Sequence, residues 1–171
     1  HDTTMDEIAV AMGIAKGTLY YNFKNKEDLY FALIKEGIEI LKKKVSEAID
    51  KANEPEEQLK QIIKAQYCYF QNYANVTFIF LRELYGNIIG RDTLSNLLKE
   101  YLSLIAGVLE GGIRKGKFKP MDIEATTSMV FGIISTTALH YLNIHGNIPL
   151  EMVQDITAEM IFKGILSEST V

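Results

Sequence analysis

The sequence predicts an all-α chain in two parts, a small head of short helices and then a bundle of long ones. Three observations carry this. Apolar residues recur at helical spacing nearly throughout, no run alternates convincingly as a strand would, and 171 residues hold only three prolines. At 47% hydrophobic and 23% charged, the composition is that of an ordinary globular protein.

The elements follow in order. "TMDE" reads as a capping box, Thr4 opening a first helix over residues 4–12 with Glu7 three positions on. Its inner face is Ile8, Ala9 and Met12, and Gly13 suits a left-handed turn. A second short helix, 15–23, turns Leu19 and Phe23 inward at i, i+4 spacing, and Ile14 plugs the angle between the two. "NKED", with Asn25 and Asp28, caps a long helix from Lys26 that ends before "NEP". Further helices are expected over 56–73, 76–89, 92–115, 123–144 and 150–166, broken by "NYAN", "IGRD", "KGKFKPMD" and "HGNIP". The expected division is a head with the start of the connecting helix over 1–44, and a bundle over 45–171.

Two short helices joined by a glycine turn have the spacing of a helix-turn-helix, whose second helix enters a DNA groove. In "AKGT", Ala15, Gly17 and Thr18 are small enough to allow close approach, while Lys16 and Thr18 supply donors. Gly17 weakens the helix by about 1 kcal/mol against Ala, a cost that makes sense where backbone must near another surface. Tyr20 and Tyr21 cannot join Leu19 and Phe23 on the inner face, and phenol hydroxyls donate well to phosphate. Lys26, in the first turn of the next helix, and Thr4, at the start of the first, sit where free N–H groups favour an anion.

The net charge of −4 does not oppose this, because of its distribution. Seven lysines meet seven acids up to Lys44, whereas eleven basic residues meet fifteen acids from Val45 onward. Residues 15–26 contain Lys16, Lys24 and Lys26 and no acid. With a Debye length of about 8 Å at physiological salt, distant acids are largely screened.

The stretch "TTMDEIAVAMGIAKGTLYYNFKNKEDLY" resembles the DNA-binding signature of the TetR-type transcriptional regulators, nearly continuously from Thr3 to Tyr30. The resemblance implies an all-helical homodimer, with a tri-helical DNA head and a C-terminal bundle for effector binding and dimerisation. It also implies DNA contacts, mostly to backbone, at Thr4, Ala15, Lys16, Gly17, Thr18, Tyr20, Tyr21 and Lys26, with Lys16, Gly17 and Thr18 nearest the bases. Ala15 departs from the pattern, since serine is common there and its hydroxyl is lost. The family has a further helix before the position of His1, packed under Ile8, Leu19 and Phe23. The opening "HDTT" reads as a middle rather than a beginning, so an upstream segment is expected.

In the bundle, residues 125–150 contain no Asp, Glu, Lys or Arg, and the helix there is apolar all round, while the last helix is also rich in apolar residues. A membrane span is excluded by "STT" at 135–137 and by His140, Asn143 and His145, which leave only short apolar runs. Two such helices pairing with symmetry mates would form a dimerising four-helix interface. Gly132, Thr136, His140, Val153, Ile156 and Met160 are its candidate residues, with Gly132 and Thr136 permitting close approach. Aromatic residues concentrate between head and interface. The candidate lining of an effector pocket is Tyr67, Phe70, Gln71, Phe78, Arg82, Tyr85, Tyr101 and Met129, which suits an apolar or aromatic small molecule.

Other signals fail. "GGIRKGKF" imitates a phosphate loop but ends in Phe118 instead of a hydroxyl and follows a helix instead of a strand, so it reads as a helix end with Gly116 at its C-terminus. His140 and His145 miss the i, i+4 spacing of a helical metal pair, and no metal or cofactor is expected. The lone Cys68 reads as a small core residue and gives a reducing, cytoplasmic setting. The leading expectation is a cytoplasmic, homodimeric repressor, released from an inverted-repeat operator in double-stranded DNA by a small hydrophobic effector. A helical binding or docking module without DNA is the alternative. An enzyme would have to rest on Glu83 with His140, a poor acid–base pair.

Overall fold

The computed structural model describes residues 3–85 and 91–166, with side chains described outside 82–94. Eight α-helices are found among the described residues: α1 (Met5–Ala11), α2 (Lys16–Asn22), α3 (Lys26–Ile49), α4 (Pro55–Asn72), α5 (Ala74–Tyr85), α6 (Arg91–Arg114), α7 (Ile123–His145) and α8 (Leu150–Ile165).

Local chemistry accounts for most boundaries. The Thr4 hydroxyl accepts the Glu7 N–H at 3.2 Å, and the Glu7 carboxylate accepts the Thr4 N–H at 2.7 Å, completing the capping box of α1. Gly13 takes φ +67, a conformation that costs a side-chain-bearing residue steric strain, and so turns the chain into α2. α2 has no side-chain cap, because Ala15 stands at its N-cap. Asn25 Oδ1 accepts the Asp28 N–H at 2.8 Å to open α3, and Asp122 Oδ1 accepts the Ala125 N–H at 2.8 Å to open α7. Pro55 occupies the first turn of α4, where its missing N–H costs nothing. The end of α6 is the expected glycine turn, with Gly116 at φ +69 and Arg114 in the last helical turn.

Two expectations need correction. Met12 is 58% exposed, not inward-facing; it lies in the cap beyond α1, and Met5 takes the buried place beside Ala9. The "NYAN" break is a single residue. Tyr73 leaves helical geometry at φ −122, ψ 40, yet its N–H still reaches the Tyr69 carbonyl and its own carbonyl accepts the Thr77 N–H. With both backbone bonds kept, α5 starts at Ala74, earlier than the asparagines suggested. The C-terminal end of the expected 76–89 helix lies outside the described residues.

The molecule has two cores, and α3 is shared between them. Met5, Ala9, Leu19 and Leu29 form a small one with Ile8, Ile14 and Phe23 at its edge. The large one begins on α3 at Ile34 and gathers α4 to α8 around Tyr67, Phe70, Tyr101, Leu109, Phe118 and Ile134. α7 turns Val130, Phe131, Ile134, Ala138 and Leu142 into it, and α8 adds Val153, Thr157, Ile161 and Ile165. Their opposite faces keep Met129, Ile144, Met152, Ile156 and Met160 exposed. No described helix is long and apolar enough to cross a membrane.

Candidate nucleic-acid interface and effector region

The head presents α2 to solvent. Leu19 anchors it to the small core, and every residue from Ala15 to Thr18, together with Tyr20, Tyr21 and Asn22, lies exposed. Tyr21 is 90% exposed, an extreme value for an aromatic ring. A Cβ added at Gly17 would meet nothing within 4 Å, so no internal packing demands glycine there. Lys26 is half-buried, with its ammonium 5.5 Å from the Tyr30 ring centroid. Thr4 is exposed, its hydroxyl engaged with Glu7. The eight residues expected to meet DNA therefore line the starts of α1, α2 and α3 and the outer face of α2.

One participant was not anticipated. Asp6 on α1 reaches across to α2, where its Oδ2 accepts Lys16 Nζ at 2.6 Å and its Oδ1 accepts the Tyr20 hydroxyl at 3.3 Å. The hydrogen bond and charge of Lys16 hold the Asp6 carboxyl below the usual carboxylate range, and Asp6 in turn raises the Lys16 ammonium. Inspection of residues 15–26 alone missed it, because the acid comes from ten residues upstream and from the far side of the turn.

The expected effector residues are only partly brought together. Tyr67, Phe70 and Tyr101 are fully buried in the large core. Around them runs a polar thread: the Tyr101 hydroxyl donates to Gln66 Oε1 at 2.6 Å, Gln66 Nε2 to Ser135 Oγ at 3.5 Å, and Tyr67 shares a 2.8 Å bond with Thr157. Burial pushes the Tyr101 hydroxyl far above its ordinary range. Such a satisfied thread inside an apolar interior is costly to disturb without a replacement partner. Gln71 is half-buried and accepts the Ile148 N–H, while Phe78 is half-buried at the core edge. Met129 does not join them, being 64% exposed on α7. Arg82 and Tyr85 lie outside the described side chains. Ser135 and Thr157 were missed, since isolated hydroxyls on apolar helices give no sequence signal. Outside this core, an open groove of about 650 Å³ runs between α6 and α7, past Leu98, Leu102 and Thr127.

Of the expected interface residues, Thr136, His140, Ile156 and Met160 are exposed, Gly132 is half-buried, and a Cβ at Gly132 would meet nothing. Val153 is only 3% exposed and packs inside its own protomer.

The path from α3 into the bundle is pinned twice. The Tyr69 hydroxyl donates to the Gly37 carbonyl at 2.8 Å, and Lys42 Nζ meets Glu100 on α6 at 2.6 Å. A Cβ at Gly37 would stand 2.7 Å from Val76 Cγ1, so α5 approaches α3 there only because glycine is present.

Known proteins share this arrangement. Residues 1–33 match the family described as bacterial regulatory proteins, tetR family, and residues 34–164 match the YsiA-like protein, C-terminal region. The fatty acid metabolism regulator protein of Bacillus subtilis is 30% identical over 169 residues, covering 96% of this chain and 86% of that protein. A putative fatty acid metabolism regulator of Clostridium perfringens has a solved structure that superposes with a TM-score of 0.85 at 32% identity, covering 97% of this chain and 90% of that one. FadR of Bacillus subtilis, solved in complex with stearoyl-CoA, superposes with a TM-score of 0.86 at 27% identity, covering 96% and 89%. From capped head to bundle, this chain is a member of the TetR family of DNA-binding transcriptional regulators, which are not enzymes, and carries a YsiA-like C-terminal region.

Proposed function

We propose that this regulator is a cytoplasmic, homodimeric repressor that leaves an inverted-repeat operator when its bundle takes up a long-chain acyl-CoA. The observation that carries the effector class is the likeness, over nearly the whole chain, to a FadR that holds stearoyl-CoA. An apolar interior with a few polar groups suits an acyl chain with a thioester at its end. Gln66, Ser135 and Tyr101 supply donors and acceptors at that depth. The expected apolar effector is thereby narrowed to an amphiphile.

In this reading the working division is a head over 1–44 and an effector and dimerisation domain over 45–171, with α3 belonging to both. Exposed Met129, Ile144, Met152, Ile156 and Met160 support an α7–α8 pairing between protomers, which sets the separation of the two heads. Two α2 helices would then enter successive major grooves about 34–36 Å apart. Thr4, Tyr20, Tyr21 and Lys26 hold phosphates, while Lys16, Gly17 and Thr18 face base edges. An acyl chain entering between α4, α6 and α7 displaces the partners that pin α3 and so moves the heads. A hundredfold loss of operator affinity requires about 2.7 kcal/mol of coupling.

The test is a duplex-binding selection followed by titration of the recovered complex with stearoyl-CoA, free stearate and free CoA. Release by stearoyl-CoA alone is expected. If stearoyl-CoA binds neither the free protein nor the complex, the effector assignment is wrong.

A further inference from the structure

The Asp6 carboxylate is oddly placed for a protein surface that is to meet a polyanion. Its two oxygens take hydrogen bonds from Lys16 and Tyr20, at 2.6 and 3.3 Å, two exposed groups one helical turn apart on α2. That is the arrangement in which two non-bridging oxygens of a DNA phosphate would be received. No acid lies in residues 15–26 themselves. We propose that Asp6 is an internal stand-in for the DNA anion, a positioning residue that orders Lys16 and Tyr20 before binding and competes with DNA for them. The inference rests on the DNA contacts assigned above to Lys16 and Tyr20.

The consequence is a brake on duplex binding. To reach DNA, Tyr20 must be drawn from Asp6 toward phosphate and Lys16 toward a base edge or a phosphate, with the carboxylate still beside them. Like charges at that range oppose the contact. Lys16 gives up the same ion pair on either kind of duplex, so the carboxylate weakens operator and non-cognate binding alike.

The experiment compares wild type with Asp6→Asn, Asp6→Ser and Glu27→Gln, on the selected operator duplex and a scrambled duplex of equal length, across a salt series. Glu27, exposed in the first turn of α3, is the control, since its replacement removes the same charge from the head but not from the contact with α2. Both Asp6 variants are expected to bind each duplex on the order of threefold more tightly per head. Their salt dependence should steepen by up to about 0.9 per head, and Glu27→Gln falls short of both changes. The proposal is overturned if duplex affinity is unchanged or weaker in the Asp6 variants, or if Glu27→Gln matches their gain. The underlying DNA reading fails separately if wild type shows no salt-dependent duplex binding, or if Lys26→Ala leaves that binding and its salt slope untouched.

Discussion

Tyr20 and Thr18 are both exposed on α2, and the proposed interface gives them different parts of DNA, phosphate and base edge. Tyr20→Phe removes a phosphate donor and is expected to weaken binding to every sequence alike, whereas Thr18→Ala shifts base preference at one operator position; parallel selections with the two variants separate the effects. The outward face of α2 was legible because Leu19 and Phe23 had already claimed the inward one. Asp6 was not, because which side chain faces Lys16 depends on the angle that Gly13 imposes between two helices. Tyr69 gives a second residue-scale prediction. Burial raises its hydroxyl to about 12 from an ordinary 10.0. The folded state then holds that proton more tightly than the unfolded chain, so its share of stability is intact below pH 10 and drains as pH climbs toward about 12. Urea midpoints taken in alkaline steps should fall less steeply for Tyr69→Phe than for wild type. An equal slope would show that Tyr69 keeps no such proton.

Among the elements, α1 and α3 were readable from their caps, since Thr4 with Glu7 and Asn25 with Asp28 close the bonds their spacing announced. Thr4→Ala is expected to cost the head about 1 kcal/mol. Amide exchange should therefore quicken in α1 and α2 and stay unchanged in α6. The α4–α5 junction was misread because Asn-Tyr-Ala-Asn has turn chemistry, while Tyr73 stacks on Tyr69 at 4.8 Å and holds the bend to one residue. Gly112 shows packing that no pattern encodes. A Cβ there would lie 2.0 Å from the ring of Phe118, a residue only 1% exposed. Gly112→Ala should destabilise the bundle by about 1–3 kcal/mol through overpacking, visible as a lower denaturant midpoint. An unchanged midpoint would mean that the Phe118 ring has room to swing aside.

At the scale of the whole molecule, the all-helical layout was legible from helical periodicity, and the apolar character of α7 and α8 from a charge-free stretch over 125–150 and an apolar-rich last helix. Which apolar residues face inward was not, as the exposed Met129 and the buried Val153 both show. A helix hydrophobic all round gives no phase to read. Ile156→Lys with Met160→Lys is expected to give a folded monomer with weakened operator binding, measured by sedimentation; a dimer that survives both charges would place the interface elsewhere. The most telling feature at this scale is the tight crossing at Gly37. It falls at the twelfth of the 24 residues of α3, a rod of about 36 Å. If α3 turns about this crossing, a displacement of its rear half by an acyl-CoA bound as proposed would reach the front with reversed sense, like a see-saw. A methyl group at Gly37 would jam that fulcrum against Val76, so on the proposed function Gly37→Ala is expected to leave acyl-CoA uptake and operator grip in place while neither event informs the other.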